Sequence, residues 1–384
     1  MDALTTPLPK AWQKVRLGDI AEIIGGGTPS TQITSFWNGS INWFTATEIG
    51  ITKYVYKSQR TITPLGLKKS SAKLLPIGTI LLTSRASIGD CAILKVVATT
   101  NQDFQSLIPL EKINNEFLYY LMLTLKNKLL KLASGSIFLG VSPNKIKNLL
   151  IPLPPLDEQI AIANILSDVD RYLYSLDALI LKKESVKKAL SFELLSQRKR
   201  LKGFNQAWQR VRLGDILSYE QPTKFLVATT QYLQKGFTPI LTAGKTFILG
   251  YTNDKHGIYT NIPVIIFDDF TTDSKMVNFP FKVKSSAIKI LSLRNNNQAD
   301  LKYIYEKLTL LKHQVTDHKR YWIDEFSNFE ILLPPLDEQA AIANILSALD
   351  SEIISLKNKK RQFENIKKAL NHDLMSAKIR VLNK

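Results

Sequence analysis

The chain is 384 residues long, 45% apolar and 22% charged, which suits two globular domains with connections and excludes collagen-like, mucin-like and globally disordered polymers. Fifty-one Lys and Arg against 33 Asp and Glu leave a formal charge of +18, which favours a polyanionic partner, nucleic acid first, with generic basicity as the competing account. No run reaches the ~18 apolar residues of a membrane span, the opening Met1-Asp-Ala-Leu-Thr-Thr-Pro7 lacks the layout of a signal peptide, and the single Cys91 supports neither an internal disulfide nor a thiolate cluster, so a reducing, cytoplasmic setting is expected.

In chain order the first landmark is Ala11-Trp-Gln-Lys-Val-Arg-Leu-Gly-Asp-Ile20. Gly25-Gly-Gly-Thr-Pro-Ser30 invites a phosphate-loop reading, yet no strand-to-helix context follows it. With Pro29 and Trp37-Asn-Gly39 it reads instead as a turn-rich loop. Thr79–Thr83 and Cys91–Val97 predict strands and Asn115–Leu132 predicts a helix, so the first block is mixed α/β. Asn101-Gln102 reads as a buried amide pair satisfying loop backbone.

Pro154-Pro155 then bars helix upstream, and Asp157-Glu158 places negative charge on the first turn of a helix starting near Leu156-Asp-Glu-Gln159. Apolar residues at Ile162, Leu166, Val169, Leu173, Leu176 and Ile180 keep a 4-3-4-3-4 spacing, resumed at Leu190 and Leu194. This is a heptad seam, and 40–45 residues at ~1.5 Å each make a rod of roughly 60–65 Å that needs a partner. Towards its end the rod turns basic, at Lys182, Lys183, Lys187, Lys188, Arg198, Lys199 and Arg200. Such a run either follows a phosphate backbone or is a solvated face.

The opening words return 196 residues later as Ala207-Trp-Gln-Arg-Val-Arg-Leu-Gly-Asp-Ile216. In the second block Val264–Phe267 and Ala287–Leu291 predict strands and Ala299–Leu311 a helix, again mixed α/β. Gly244-Lys-Thr246 resembles the end of a nucleotide-binding loop, but the required first glycine falls at Pro239. His313 and His318 lack a third metal ligand. Asp268, Asp269 and Asp273 are a polar loop after a buried strand before they are a cation site.

Leu333–Asp350 then repeats Leu153–Asp170 at 15 of 18 positions, with an offset of 180. Its seam runs Ile342, Leu346, Leu349, Ile353, Leu356, Phe363, Leu370 and Leu374, with Lys360 where the first copy has Ile180, and its basic run holds Lys359, Lys360, Arg361, Lys367 and Lys368. The layout is variable block, constant helix, variable block, constant helix. It predicts an α+β protein with two globular domains and two long repeated helices pairing as an antiparallel coiled coil. The expected boundaries are 1–152, 153–202, 203–332 and 333–384. Near-identity of solvent-facing as well as seam residues predicts one partner bound twice. Ordinary core helices, one per domain, are the competing account. No hydrolase elbow, zinc-protease, dinucleotide or methyltransferase motif occurs in either block.

Leu-Pro-Pro-Leu-Asp-Glu-Gln followed by Ile-Ala-Asn-Ile-Leu-Ser, repeated after two unlike blocks, resembles the specificity subunits of type I restriction-modification systems. So do Trp12 to Ile20, Gly26-Gly-Thr-Pro-Ser30, Leu82-Thr-Ser-Arg85, Asn101-Gln102 and Val264-Ile-Ile-Phe-Asp-Asp269. The resemblance spans essentially the whole chain. It implies a non-catalytic reader of double-stranded DNA with two target-recognition domains. These would recognise an asymmetric bipartite target with a fixed gap, set by helix length, so that about four residues inserted into one helix lengthen the gap and leave both half-sites alone. It also implies two methyltransferase subunits on the helical repeats, restriction subunits joining through the complex, and adenine N6-methylation. S-adenosylmethionine, ATP and magnesium would sit on those partners and none on this chain.

Base and phosphate recognition needs Arg, Lys, Asn, Gln and polar loops. The candidates are Thr28, Ser30, Trp43, Lys68, Lys69, Ser70 and Arg85 in the first domain and Lys245, Tyr251, Asp269, Phe270, Thr271, Thr272 and Lys275 in the second. Each also reads as a turn former, cap or solvated charge. For the partner surface the candidates are Leu156, Glu158, Gln159, Leu336, Glu338 and Gln339, with helix capping as the alternative role. A scaffold carrying two protein-binding modules, with no DNA role, is the rival to the whole reading.

Overall fold

A computed structural model describes residues 8–134, 139–244, 246–311 and 321–381. Lys245, His313 and His318 lie outside the described residues. The chain divides into two compact units, residues 1–177 with 359–384 and residues 178–358. Both units are mixed α/β.

The first unit begins with β1 (Gln13–Arg16), β2 (Ala21–Gly25), β3 (Trp37–Phe44), β4 (Tyr54–Val55), β5 (Arg60–Ile62) and the short α1 (Pro64–Lys68). It continues through β6 (Ile80–Leu82), β7 (Cys91–Leu94), β8 (Ala98–Thr100), β9 (Gln105–Pro109), α2 (Asn115–Leu132), α3 (Pro143–Lys147) and β10 (Leu150–Leu153) into the 40-residue α4 (Leu156–Leu195). A five-stranded sheet is ordered β2-β9-β6-β7-β4 and a three-stranded sheet β5-β3-β8. The fully buried strands β6 and β7 are continuous apolar runs, as a strand covered on both faces requires. Burial pushes the Cys91 thiol up to about 12, so it is a core side chain and not a nucleophile at neutral pH.

Trp37-Asn-Gly39 is not the turn expected from its residues. It opens strand β3, whose register against β5 shifts between Trp37 and Ile41, with Asn38 at φ 61° inside the irregularity. The bulge absorbs the turn-forming residues, and Asn is the non-glycine residue best suited to that backbone region.

The second unit holds β11 (Gln209–Arg212), α5 (Leu213–Ile216), β12 (Leu217–Glu220), β13 (Thr238–Leu241), β14 (Ile248–Thr252), β15 (Val264–Asp268), β16 (Ser274–Val277), β17 (Lys282–Val283) and β18 (Ile288–Leu293). It closes with α6 (Leu301–Leu310), α7 (Tyr321–Asp324), β19 (Glu330–Leu333) and α8 (Leu336–Met375), again 40 residues. Its sheets are ordered β12-β18-β15-β16 and β14-β13-β17.

The two repeated words meet in each unit. β1 pairs antiparallel with β10 in the register Gln13 to Leu153, and β11 with β19 in the register Gln209 to Leu333. Opening and closing segments therefore zip together and close each domain at its root.

Both long helices start at the leucine after Pro-Pro, where proline geometry ends the extended segment. In the first unit Asp170 pairs with Lys367, and Asp177 with Lys360 at 2.6 Å, while the rings of Tyr172 and Phe363 lie 4.6 Å apart. Numbers rise on one helix as they fall on the other, so these segments run antiparallel. Lys360, which breaks the apolar seam of the second copy, is answered by Asp177 and Glu364. In the second unit Lys183 pairs with Glu352 at 2.8 Å and Lys187 with Asp350 at 2.6 Å, again in opposite senses. Several lysines of the basic runs are thus engaged between helices and are not free for phosphates.

Candidate nucleic-acid interface

In the first unit the chain leaves β2 at Gly25 into a loop that exposes Thr28 and Ser30 while Gly27 and Pro29 stay buried. Two indoles hold this loop from beneath: Trp43 Nε1 donates to the Gly27 carbonyl at 2.9 Å and Trp37 Nε1 to the Ser30 carbonyl at 3.0 Å. The indoles brace each other edge to face, centroids 5.0 Å apart. Glycine is required at 26 and 27 because a Cβ there would collide with the Asn101 carbonyl and with Ser71. Gly27 N also donates to the Thr100 carbonyl at 2.8 Å, and Ser84 N to that of Asp103 at 2.7 Å. These bonds gather the loops at 25–30, 83–89 and 101–103 into one polar ridge.

Thr28, Ser30 and Arg85 lie exposed on this ridge, and Lys68 and Lys69 lie exposed at the end of α1, with Ser70 half-buried beyond it. Trp43 does not belong with them. It is 3% exposed, its indole N–H is spent on Gly27, and its role is to support the loop. Asn101 is buried, its amide tied to Asp103 at 2.8 Å, as expected for a structural amide. Its neighbour departs from that expectation: Gln102 is exposed and accepts the Thr28 hydroxyl. A further side chain that the sequence did not single out, Arg60, lies exposed with its guanidinium carbon 3.8 Å from the Trp37 ring centroid. Its distance in sequence from Trp37 hid it, since only the pairing of β3 with β5 brings them together.

In the second unit Asp268, Phe270, Thr271 and Thr272 form the tip joining β15 to β16. The Asp268 carboxylate accepts the Phe270 and Thr271 amides, both at 2.9 Å, and Thr272 takes a positive φ of 59°. This is an Asx-type turn, and it presents Phe270 and Thr271 to solvent. Asp269 is a correction to the candidate list. It is 1% exposed, ion-paired with the equally buried Lys289 at 3.0 Å, and accepts the Trp322 amide at 2.8 Å. It anchors the hairpin and is shut away from any ligand. Lys275 and Tyr251 are half-buried on β16 and β14.

The Leu-Asp-Glu-Gln segments are largely turned inward. Glu158 is 2% exposed; it accepts the Trp12 indole N–H at 2.9 Å and Arg380 at 2.7 Å. Its counterpart Glu338 is fully buried and accepts the Trp208 indole at 3.0 Å and Arg200 at 2.6 Å. Gln159 accepts the Asn114 amide at 3.0 Å and donates to the Pro154 carbonyl at 3.0 Å. Gln339 does the same with Asp300 and Pro334, both at 2.8 Å. Asn114 and Asp300 are the caps of α2 and α6, so each glutamine ties a long helix to the start of its domain helix. The expectation of a docking surface on Glu158, Gln159, Glu338 and Gln339 is therefore overturned by burial: they hold the chain's own joints. Leu156 and Leu336 are exposed, at 40% and 38%.

The family model of the type I restriction modification DNA specificity domain matches residues 9–183 and again 205–365. The chain is 45% identical over 180 residues to the type I restriction enzyme EcoR124I/EcoR124II specificity subunit of Escherichia coli. That match covers 43% of this chain and 44% of the relative, under half of each. It is 29% identical to the type I restriction enzyme MjaIX specificity subunit of Methanocaldococcus jannaschii, over 97% of this chain and 95% of the relative. Among solved structures, the type I restriction-modification system S subunit from M. genitalium superposes with a TM-score of 0.63 across 97% of this chain and 98% of its own, at 18% identity, a likeness of fold.

Proposed function

The chain belongs to the type I restriction-modification DNA specificity family, and from that membership we propose that it supplies the DNA address of a complex whose chemistry resides on other subunits. Each unit reads one half of an asymmetric, gapped duplex target. The observation that carries this reading is the combination of two unlike domains with nearly identical roots. Unlike loop surfaces suit unlike half-sites, while the repeated helix segments suit two copies of one methyltransferase partner.

Exposed lysines such as Lys68 and Lys69 serve the phosphate backbone and fix position, and the braced ridge and the hairpin tip supply base contacts. Methyltransferase subunits dock on the solvent face of the repeats, including Leu156 and Leu336, and methylate an adenine at N6 in each half. Restriction subunits join through them. S-adenosylmethionine, ATP and magnesium belong to those partners. The pairing of α4 with α8 as a coiled coil is part of this proposal and is supported by the opposed ion pairs within each unit.

The test is single-molecule methylation mapping of host DNA with and without this chain, its methyltransferase being present in both. The expected result is a two-part adenine motif that disappears on deletion, and exchange of residues 1–152 for another domain should rewrite one half only. A motif that survives deletion, or rewriting of both halves by one exchange, would sink the reading. Absence of duplex binding by the assembled complex at low salt would favour the protein scaffold instead.

A further inference from the structure

Arg60 is held unlike an ordinary surface arginine. Its guanidinium stacks on Trp37 at 3.8 Å and lies 5.4 Å from the Trp43 centroid. Those are the two indoles that pin the Gly27 and Ser30 carbonyls. Among the described residues it has no carboxylate partner and none of its N–H groups is hydrogen-bonded within the chain. A planar fork fixed against an aromatic face, with its donors unspent, has already lost most of the rotamer freedom that binding would otherwise cost. Across the same loop Gln102 is fixed in another way. The Thr28 hydroxyl donates to its Oε1, which uses one of the two carbonyl lone pairs, fixes the amide plane and leaves both amide N–H donors unspent on an exposed side chain. With the carbonyl half used and both N–H groups unspent, donation is the larger part of the capacity this glutamine has left.

Resting on the reading of the chain as a DNA specificity subunit, we propose that Arg60 and Gln102 are the base-reading side chains of the first domain. Arg60 takes the O6 and N7 edge of a guanine in the major groove. Gln102 donates to a single acceptor, a purine N7, guanine O6 or thymine O4, and discriminates against positions that present only an exocyclic amine. Thr28 is the positioning residue that sets the polarity of Gln102.

The experiment maps methylated motifs in cells carrying the methyltransferase with the wild-type chain or with Arg60→Ala, Arg60→Lys, Gln102→Ala or Gln102→Glu. Arg60→Ala should relax one guanine position in one half-site, with discrimination there falling roughly 5- to 150-fold, and Arg60→Lys, which offers a single ammonium in place of the planar fork, should relax the same position to a smaller extent. Arg60→Lys keeps a cation above the indole, so it answers the objection that the alanine variant merely unsettles the domain. Gln102→Glu replaces a donor by an acceptor and should shift preference at one position towards cytosine or adenine, an outcome a structural role does not produce. The other half-site, read by the second unit, is the internal control and should stay unchanged. Motifs unaltered in all four variants, or methylation weakened equally at every base of the half-site as for a phosphate contact, would overturn the assignment. A wild-type chain that yields no two-part motif would instead bring down the functional reading, and this assignment with it.

Discussion

Glu158 and Glu338 show how a side chain that looks like a surface charge becomes a joint. Each follows an aspartate at a helix start, and sequence offers no cue that an indole from the opening words reaches it, 146 positions away in one unit and 130 in the other. The recurrence of both words was the available signal: segments repeated together are segments that bond to each other. Trp43 and Asp269 escaped for a similar reason, since a tryptophan beside a glycine loop and an aspartate in a polar turn read as ligands until their partners Gly27 and Lys289 are in place. Truncating Glu338 to Ala leaves the Trp208 indole without an acceptor and the half-buried Arg200 with the Gln206 carbonyl at 2.9 Å but no carboxylate. Because Glu338 is buried and ties the start of α8 to the opening strand segment, its loss should loosen the second unit, and the damage should be local. Hydrogen exchange by mass spectrometry is expected to speed up at residues 200–208 and 336–346 and to leave the first unit alone. Unchanged exchange there would show that the joint is held by β11 and β19 without the glutamate.

The elements themselves were largely legible. The long helices, with prolines to stop the preceding strand and a heptad seam to follow, start at the predicted leucines, and the helix predicted from Asn115 to Leu132 has those bounds, with Asn114 as its cap. What periodicity does not carry is which element an interior charge meets. In the first unit Lys53 and Glu116 pair beside Asp170 and Lys367, with Tyr120 bridging to Asp170 at 2.5 Å. In the second, Lys302 bonds both Glu306 at 2.6 Å and Asp350 at 2.8 Å, and Lys187 completes the group. Each group fastens a domain helix to the paired long helices, and in each one lysine, Lys367 or Lys187, comes from the basic runs that sequence assigned to a solvated or phosphate-binding face. Burial pushes the Asp350 carboxyl up, but the hydrogen bonds from Lys187 and Lys302 outweigh it and leave the group below the usual carboxylate range. A depressed carboxylate contributes stability that is full above the unfolded value near ~4 and is lost as pH falls through the lower folded value. Asp350→Asn should therefore destabilise the second unit by about 2 kcal/mol at neutral pH, and the gap from wild type should shrink below about pH 4. Thermal unfolding followed between pH 3 and 7 checks this, and a gap independent of pH would place the effect of the mutation in packing.

The first unit as a whole takes its last elements from the far end of the chain. Leu374 and Met375 are buried in its core, Leu370 packs against that core, Asn371 donates to the Tyr120 carbonyl at 3.1 Å, and Arg380 clamps Glu158. At the repeat offset of 180 the chain carries Leu194, Leu195, Leu190, Ser191 and Arg200, with Lys187 in the place of Lys367. A fragment ending near residue 202 therefore contains, in its own tail, a near-copy of the segment its first unit lacks. That tail continues α4 and runs away from the site it would fill, so the complement must come from a second molecule. Fragment 1–202 is expected to form a symmetric dimer in which each tail completes the partner's first unit, with Asp170 meeting Lys187 across the contact. The dimer should be looser than the native pairing, because Ser191 is shorter than Asn371, and Lys183 and Ile180 replace the ring of Phe363 and the cation of Lys360. Sedimentation equilibrium checks the stoichiometry. Lys187→Glu should shift the fragment towards monomer, and adding Asp170→Lys should restore the dimer by reversing the pair. A fragment that is folded and monomeric at all concentrations would show that the C-terminal segment decorates the first unit without being needed to complete it.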